Sequence, residues 1–237
     1  MSQRFYSTQP IEGEAVVVDG PEAHHLLHVM RATAGTEVVL FDGHGAEYAA
    51  RVSQTGRSEV RLDVLLRREV NRESPIALTL GVALPKGDRQ RWLVEKATEL
   101  GVTRLAPLIT AHGVAQPETK TLDKLRRAVI EASKQCGRNR LMEIGEAETV
   151  EAFLQNTTAD ERLIAHPDPT SNVRPLLSGD VSTVVAAIGP EGGFSDEELQ
   201  AAGAAGWTPV SLGPRILRVE TAALSLAAIV GLTAWKA

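Results

Sequence analysis

The stretch VSTVVAAIGPEGGFSDEEL, residues 181–199, decides how the second half of the chain folds. Its apolar run from Val181 to Ile188 predicts a buried strand, which ends abruptly at Gly-Pro. Ser195, followed three residues later by Glu198, forms a capping-box pattern, so a helix is predicted to begin directly after the glycines. A strand, a glycine-rich loop and a helix in succession indicate an α/β fold, in which such loops often bind ligands.

The alternation of strand and helix extends over the chain from Ile76 onwards. IALTLGVALPKG, VTRLAPLIT, ERLIAHP and WTPVSLGP predict further strands, and helices are predicted over 88–101, with Asp88 as cap, 121–137 and 220–235. This order predicts a parallel sheet covered by helices. Several short strands in residues 1–72 predict a small β-barrel instead. The polar linker NRESP then suggests two domains, 1–72 and 73–237.

Composition limits the class of protein. The 237 residues are 43% hydrophobic and include one cysteine, Cys136, so no intramolecular disulfide can form. The N-terminus lacks the apolar segment of a secretory signal, and TAALSLAAIVGLTAW (221–235) is too short and alanine-rich for a membrane span. We therefore expect a cytoplasmic protein without a membrane partner, in which 221–235 is a buried or interface helix.

Charge is segregated along the chain. The net charge of −5 argues at first against a nucleic-acid partner. However, residues 120–140 contain seven Lys and Arg against two acidic residues, whereas 141–198 contain twelve acidic residues against two arginines. A local basic face can bind a polyanion on an acidic protein. A solvated helix face explains the same pattern equally well.

Three loops follow predicted strands of the second domain: AHPDP (165–169), GPEGG (189–193) and LGPRILR (212–218). Parallel strands place their carboxyl ends at one edge of a sheet, so these loops are expected to converge. GPEGG lacks the Lys-Ser/Thr of a P-loop, and none of the loops has the G-x-G-x-x-G pattern of dinucleotide-binding folds. Glycine backbone without a cation suits a ligand that is not strongly anionic, such as an adenosine with a sulfonium centre.

The motif blocks resemble a known family when they are taken in order. The blocks are HHLLHVMRATAGTEVVLFDG (24–43), LPKGDRQRWLVEKATELGV (84–102), ASKQCGRNR (132–140), GPEGGFSDEEL (189–199) and LGPRILRVETAAL (212–224). Together they resemble the bacterial 16S rRNA uridine-N3 methyltransferases, the RsmE-like family of the SPOUT class. The resemblance covers nearly the whole chain.

The resemblance implies an α/β fold, with a SPOUT-type parallel sheet and a C-terminal deep trefoil knot. It also implies a small N-terminal PUA-like β-barrel that helps to bind RNA. The expected reaction is methyl transfer from S-adenosyl-L-methionine to N3 of a uridine in 16S rRNA of the small ribosomal subunit. A homodimer is implied, with helix 221–235 as a candidate interface. Methylation of a ribose 2′-OH and a non-catalytic role in ribosome assembly stay open as alternatives.

Site residues carry over onto the matching motif positions. The cofactor pocket would use Ala165, His166, Pro167, Ile188, Gly189, Glu191, Gly192, Leu212, Gly213, Ile216, Leu217 and Arg218. RNA contacts would come from Arg31, Lys86, Arg138 and Arg140. For Arg89, plain solvation is the favoured interpretation. His24 and His28 lie one helical turn apart, but no third ligand is evident, so no metal site is predicted.

Methyl transfer to uridine N3 requires that the N3 proton be removed. Uridine N3 is a poor nucleophile until its proton is lost, so the enzyme must align N3 and favour the anionic base. Arg218 or Arg138 is the candidate to stabilise that anion. Glu191 or Glu220 is the candidate base, although either carboxylate could instead only hold a loop or cap a helix.

Overall fold

A computed structural model of the chain describes residues 3–114, 118–167 and 180–234, without the side chains of 233 and 234. The contacts divide the chain into two compact units, Met1–Glu73 with Ser133–Leu141, and Ser74–Ala132 with Met142–Ala237. The first boundary falls inside the predicted linker. Segment 133–141 was predicted to belong to the second domain, but it packs with the N-terminal unit.

The N-terminal unit contains β1 (Arg4–Tyr6), β2 (Ala15–Asp19), α1 (Gly20–His24), a π-helical turn (His25–Val29), β3 (Glu37–Phe41), β4 (Ala46–Thr55) and β5 (Glu59–Glu69). The strands form one sheet in the order β1-β3-β4-β5-β2, in which β1 is parallel to β3 and the other pairs are antiparallel. Among the described residues no pairing joins β1 to β2. The predicted barrel is therefore a five-stranded sheet with two ends.

Alternation along the strands builds the core of this unit. Val60 and Leu62 of β5 are fully buried, whereas Arg61 between them is exposed. They belong to one hydrophobic cluster with Phe5 of β1 and Leu40 of β3. The same cluster includes Leu26 of the π-helical turn, and in this way the turn covers one face of the sheet.

Among its described residues, the second unit contains seven strands and five helices. They are β6 (Ala77–Val82), α2 (Arg89–Glu99), β7 (Arg104–Ile109), α3 (Thr119–Cys136), β8 (Glu143–Ile144), β9 (Glu148–Thr149), α4 (Val150–Asn156), β10 (Glu161–Ala165), β11 (Thr183–Ile188), α5 (Asp196–Ala204), β12 (Thr208–Val210) and α6 (Val219–Ala234). The last four residues of α3 belong to the N-terminal unit. Trp235, the predicted end of the last helix, lies outside the described residues.

The sheet of the second unit runs in the order β12-β10-β11-β6-β7-β8, and β9 pairs with β7. Every recorded pair in it is parallel, which confirms the predicted α/β architecture. Gly81 of β6 lies under α4, where a Cβ atom would stand 2.5 Å from the Phe153 ring. Only a glycine therefore lets this helix pack so closely against the sheet.

Two predicted helix caps have different outcomes. The Ser195 hydroxyl accepts a hydrogen bond from the Glu198 amide at 3.2 Å, and Glu198 accepts one from the Ser195 amide at 2.7 Å, so the capping box is confirmed. The prediction for Asp88 is wrong. Its backbone is helical and its side chain makes no capping hydrogen bond.

Apolar side chains surround much of α6. Ala223, Leu226, Ala227 and Val230 are buried where α6 packs against α2, β6 and β11.

In the part of the chain that the structure describes, none of the helices combines the length and apolar character that a membrane span requires.

Candidate functional site

The strand register brings the three predicted loops to one edge of the sheet. Ala165, the last residue of β10, lies opposite Ile188 of β11 and Val210 of β12, so the three strands end at the same level. The His166 amide donates a hydrogen bond of 3.0 Å to the Val210 carbonyl and ties two of the loops together at their origin. The convergence that parallel pairing predicts is therefore present.

A pocket with a cavity volume of about 250 Å³ lies between these loops. Eleven of the twelve predicted cofactor residues line it, and only Arg218 does not. The lining residues are Ala165, His166, Pro167, Ile188, Gly189, Pro190, Glu191, Gly192, Gly193, Phe194, Val210, Leu212, Gly213, Arg215, Ile216, Leu217, Val219 and Ala222. Most are apolar or glycine, a composition typical of small-molecule sites.

Glycine is required at specific points of the pocket. Gly193 has φ of +76° and donates a hydrogen bond of 2.9 Å to the Pro190 carbonyl, which closes the GPEGG turn. Gly213 has φ of +110° in the LGPRILR loop. At Gly189, a Cβ atom would stand 3.1 Å from the Phe194 ring. These positions keep bare backbone on the pocket wall.

The loop after β7 supports the GPEGG turn from behind. Glu198 is buried, and it accepts a hydrogen bond from the Ala111 amide at 2.8 Å in addition to its capping bond. His112 Nδ1 lies 3.2 Å from the Gly193 carbonyl oxygen. At Gly192 a Cβ atom would stand 3.1 Å from the His112 Cβ. A side chain at Gly192 would therefore push against His112.

Arg89 of α2 was predicted to be a solvated side chain, but in the structure it forms two ion pairs. Its guanidinium lies 3.4 Å from Glu191 of the GPEGG loop and 3.6 Å from Glu220 at the start of α6. Both of the candidate base carboxylates are thus ion-paired to one arginine. The sequence did not reveal this arrangement, since Arg89 and Glu191 are 102 residues apart.

The LGPRILR loop contains two arginines with different positions. Arg218 is exposed, does not line the pocket, and its carbonyl accepts the first hydrogen bond of α6, from Ala222 at 2.9 Å. Arg215, three residues earlier, lines the pocket and is exposed. Arg215 was not among the predicted cofactor residues, although it lies in the LGPRILR loop. The other lining residues that were not predicted are Pro190, Gly193, Phe194, Val210, Val219 and Ala222.

Family models match both units of the chain. Residues 72–231 match an RNA methyltransferase domain, and residues 18–65 match an RNA methyltransferase PUA domain. The ribosomal RNA small subunit methyltransferase E of Mycobacterium bovis is 33% identical over 98% of this chain and 93% of its own length. The chain belongs to the ribosomal RNA small subunit methyltransferase E family.

Other similar proteins agree with the chain in sequence and fold. The Synechocystis protein of that name is 32% identical over 87% of this chain and 69% of its own length. The structure of the Neisseria gonorrhoeae protein bound to S-adenosyl methionine is 29% identical and covers 98% of both chains with a TM-score of 0.90. A Legionella pneumophila protein in complex with the same cofactor is 31% identical, with a TM-score of 0.91 and 98% of both chains covered.

The CGRNR segment (136–140) of this methyltransferase E family member packs within the N-terminal unit. The Arg138 side chain is only 5% exposed and forms a bidentate ion pair with the Glu73 carboxylate. Asn139 accepts a hydrogen bond from Arg4 at 2.5 Å and donates one to the Val70 carbonyl at 3.2 Å. Arg138 was predicted to contact RNA, but the structure buries it in an ion pair with Glu73.

Arg4 and Arg72 extend this polar network. Both pair with Glu47, at 2.9 and 3.1 Å respectively, and Arg72 also donates to the Gly137 carbonyl at 3.0 Å. Burial raises the pKa of Glu47, but the hydrogen bonds from the two arginines outweigh this effect and leave the pKa below its ordinary value. The network attaches the CGRNR segment to the strands of the unit.

Of the other predicted RNA contacts, Arg31, Lys86 and Arg140 are all exposed. Arg31 has φ of +54°, which places it at a sharp change of direction after the π-helical turn. The rings of His24 and His28 lie 4.6 Å apart between centroids. Among the described residues no cluster of three His, Cys, Asp or Glu side chains is suited to a metal ion.

Proposed function

We propose that the protein transfers a methyl group from S-adenosyl-L-methionine to N3 of a uridine in 16S rRNA of the small ribosomal subunit. The observation that carries the proposal is the pocket of three loops at the ends of adjacent parallel strands, in a chain of this family. The names of its relatives and the ligand of the Neisseria structure support the substrate and the methyl donor. Specificity for N3 follows the family resemblance.

The pocket residues suit this methyl donor. Side chains of Ile188, Leu212 and Leu217 offer an apolar wall for a flat base, and bare backbone at Gly189 and Gly213 allows close approach. The bound donor would supply a methyl group on sulfonium sulfur, which needs no further activation. We therefore propose that the predicted lining residues bind and orient it, mainly through backbone groups.

The chain must also favour loss of the N3 proton and stabilise the resulting uracil anion. We propose Arg215 for this role ahead of Arg218, because Arg215 lines the pocket. Arg138 is buried against Glu73, and we therefore assign it a structural role. Glu191 lies in the pocket, but Arg89 pairs with it, so a role in holding the loop is the better proposal for Glu191 than one as a base.

We further propose the family's larger features. Residues 1–72, joined by segment 133–141, would be the PUA-like RNA-binding domain, and the rest of 73–237 would be the methyltransferase domain. Arg31, Lys86 and Arg140 would contact RNA in the cytoplasm. A C-terminal trefoil knot is compatible with the position of the LGPRILR loop on the pocket, directly before α6. An experimental chain trace tests the knot. A homodimer through α6 is the proposed assembly.

The deciding experiment incubates unmethylated small ribosomal subunits with the protein and S-adenosyl-L-methionine, and identifies the modified nucleoside by mass spectrometry. We expect 3-methyluridine. A 2′-O-methylated nucleoside would overturn the proposed target atom. Absence of methylation, together with no thermal shift on adding the donor, would instead indicate an RNA-binding assembly factor.

A further inference from the structure

We propose that Arg89 is a positioning residue that holds the GPEGG loop against the start of α6, and so fixes the distance between two walls of the pocket. Its guanidinium reaches Glu191 at 3.4 Å through one terminal nitrogen and Glu220 at 3.6 Å through the other. The inference rests on the proposed function only in taking S-adenosyl-L-methionine as the ligand of this pocket.

The two carboxylates belong to different segments of the site, the GPEGG loop and the first turn of α6. Glu191 lines the pocket inside the turn that the Gly193 amide closes onto Pro190. Glu220 directly follows Val219, another lining residue, at the point where α6 begins. Arg89 itself stands at the first position of α2, on a third element. One side chain therefore connects the two walls from outside the pocket.

Burial makes Glu220 dependent on this contact. Its side chain is 8% exposed, and its Oε2 atom is buried without a hydrogen-bond partner among the described residues. Arg89 is the only cation recorded in an ion pair with it in that part of the chain. A buried carboxylate that loses its cation is strongly unfavourable, so α6 is expected to shift at its first turn when Arg89 is removed.

The geometry also explains why arginine suits the position. A planar guanidinium presents separate nitrogens to two carboxylates at once, whereas a lysine offers one compact charge. Arg91, two residues further along α2, is exposed, and no ion pair is recorded for it among the described residues. Arg91 is therefore a matched control for net charge and for helix composition.

The test combines calorimetry of S-adenosyl-L-methionine binding with hydrogen exchange on the ligand-free protein. Arg89→Gln should raise the dissociation constant roughly tenfold, since two ion pairs are lost and one of them is nearly buried. Arg89→Lys should restore part of the affinity, and Arg91→Gln should leave it unchanged. In Arg89→Gln, amides of 191–193 and 219–222 should exchange faster, while turnover at saturating donor falls less than affinity.

A double-mutant cycle tests whether Arg89 acts through its carboxylate partners. If Arg89 acts through Glu191 and Glu220, then Arg89→Gln combined with Glu191→Gln should weaken binding by less than the two single effects multiplied together. Equal losses in Arg89→Gln and Arg91→Gln, or wild-type exchange at both segments, would overturn the proposal. So would faster exchange throughout the fold. If the wild type fails to bind the donor, the proposed function fails, while the exchange data still decide the role of Arg89.

Discussion

Arg138 and Arg140 stand two residues apart, yet their guanidinium groups have opposite surroundings. Arg138 is buried against Glu73, whereas Arg140 is exposed and lies over Gly45, where a Cβ atom would stand 3.1 Å from its terminal nitrogen. The two arginines were predicted to act together on RNA. In the structure Arg138 is buried inside the unit, whereas the Arg140 side chain is exposed.

Arg138→Ala should lower the free energy of unfolding by about 2–3 kcal/mol, because it leaves Glu73 without its cation in a largely buried place. Arg140→Ala should leave stability unchanged, weaken RNA binding and reduce the salt slope of log K by about one. Denaturant titration and RNA binding at several salt concentrations measure the two effects. Arg57→Ala, at an exposed turn of the same unit, is the control.

Equal loss of RNA affinity in Arg140→Ala and Arg57→Ala would contradict a specific contact at Arg140. A stable Arg138→Ala protein with reduced RNA affinity would restore the original interpretation of the CGRNR segment. Adding Glu73→Gln to Arg138→Ala should recover part of the stability, since the uncompensated charge is then absent.

Arg215 and Arg218 provide a second comparison between neighbouring arginines. If Arg215 stabilises the uracil anion, Arg215→Ala should reduce turnover by about 100-fold, on the scale of losing one oxyanion donor. Affinity for the methyl donor should change far less. Raising the pH should recover part of the rate, because the base then ionises without help. Arg218→Ala, in the same loop but outside the pocket lining, should have a smaller effect.

Turnover against pH and calorimetry on the two variants decide between the arginines. A larger loss of turnover in Arg218→Ala would favour the original assignment. Joint loss of donor binding and melting temperature in Arg218→Ala would instead indicate that it only holds the loop.

Asp160 joins the starts of two adjacent strands, β10 and β11. Its Oδ2 atom accepts hydrogen bonds from the amide and hydroxyl of Ser182 and of Thr183, at 2.8–2.9 Å. The Ser182 amide contributes most to lowering the pKa of Asp160 well below its ordinary value, followed by the two hydroxyls and the Thr183 amide. The ionised carboxylate is therefore the form that ties the strands.

Asp160→Ala should lower the melting temperature by a few degrees at pH 7. Because the pKa is depressed in the folded state, this stabilisation is fully present above the unfolded value of 3.8 and is lost as the pH falls through the lower folded value. The difference from wild type should thus be constant from pH 7 to about pH 5 and narrow below about pH 4. Calorimetric scans across this range measure it.

Asp88→Ala is the control for Asp160, since Asp88 is exposed and makes no capping hydrogen bond. It should melt like the wild type at every pH. A difference for Asp160→Ala that persists undiminished at pH 3 would show that packing, and not the carboxylate, is responsible.

Large apolar side chains are exposed on two helices of the second unit. Leu232 of α6 is 77% exposed and Trp92 of α2 is 47% exposed, while α2 and α6 pack against each other. Exposed large apolar groups on packed helices suit an interface between subunits. The family resemblance implies a homodimer, and helix 221–235 was the predicted candidate for its interface.

Leu232→Glu should shift the protein from dimer towards monomer in sedimentation velocity, because a carboxylate would be desolvated at the interface. Val17→Glu, on an exposed apolar position of β2, should leave the sedimentation profile unchanged. A wild type that sediments as a monomer at all concentrations would contradict the proposed dimer. Equal effects of the two substitutions would remove α6 from the interface.

Local patterns determined much of this protein. The apolar run before Gly189, the capping box at Ser195 and Glu198, and the alternation of strand and helix depend on residues a few positions apart, and the structure contains all of them. Parallel pairing then made the convergence of the three loops predictable. The resemblance of the motif blocks supplied the family.

Which charged side chains pair depends on how distant elements pack together. Arg138 pairs with Glu73 across 65 positions, and Arg89 pairs with Glu191 across 102, so neither pair leaves a periodic signal in the sequence. The assignment of 133–141 to the N-terminal unit has the same origin. Ion pairs and burial depend on the packing of distant elements, and a charged side chain looks alike in sequence whether it faces water, RNA or a buried carboxylate.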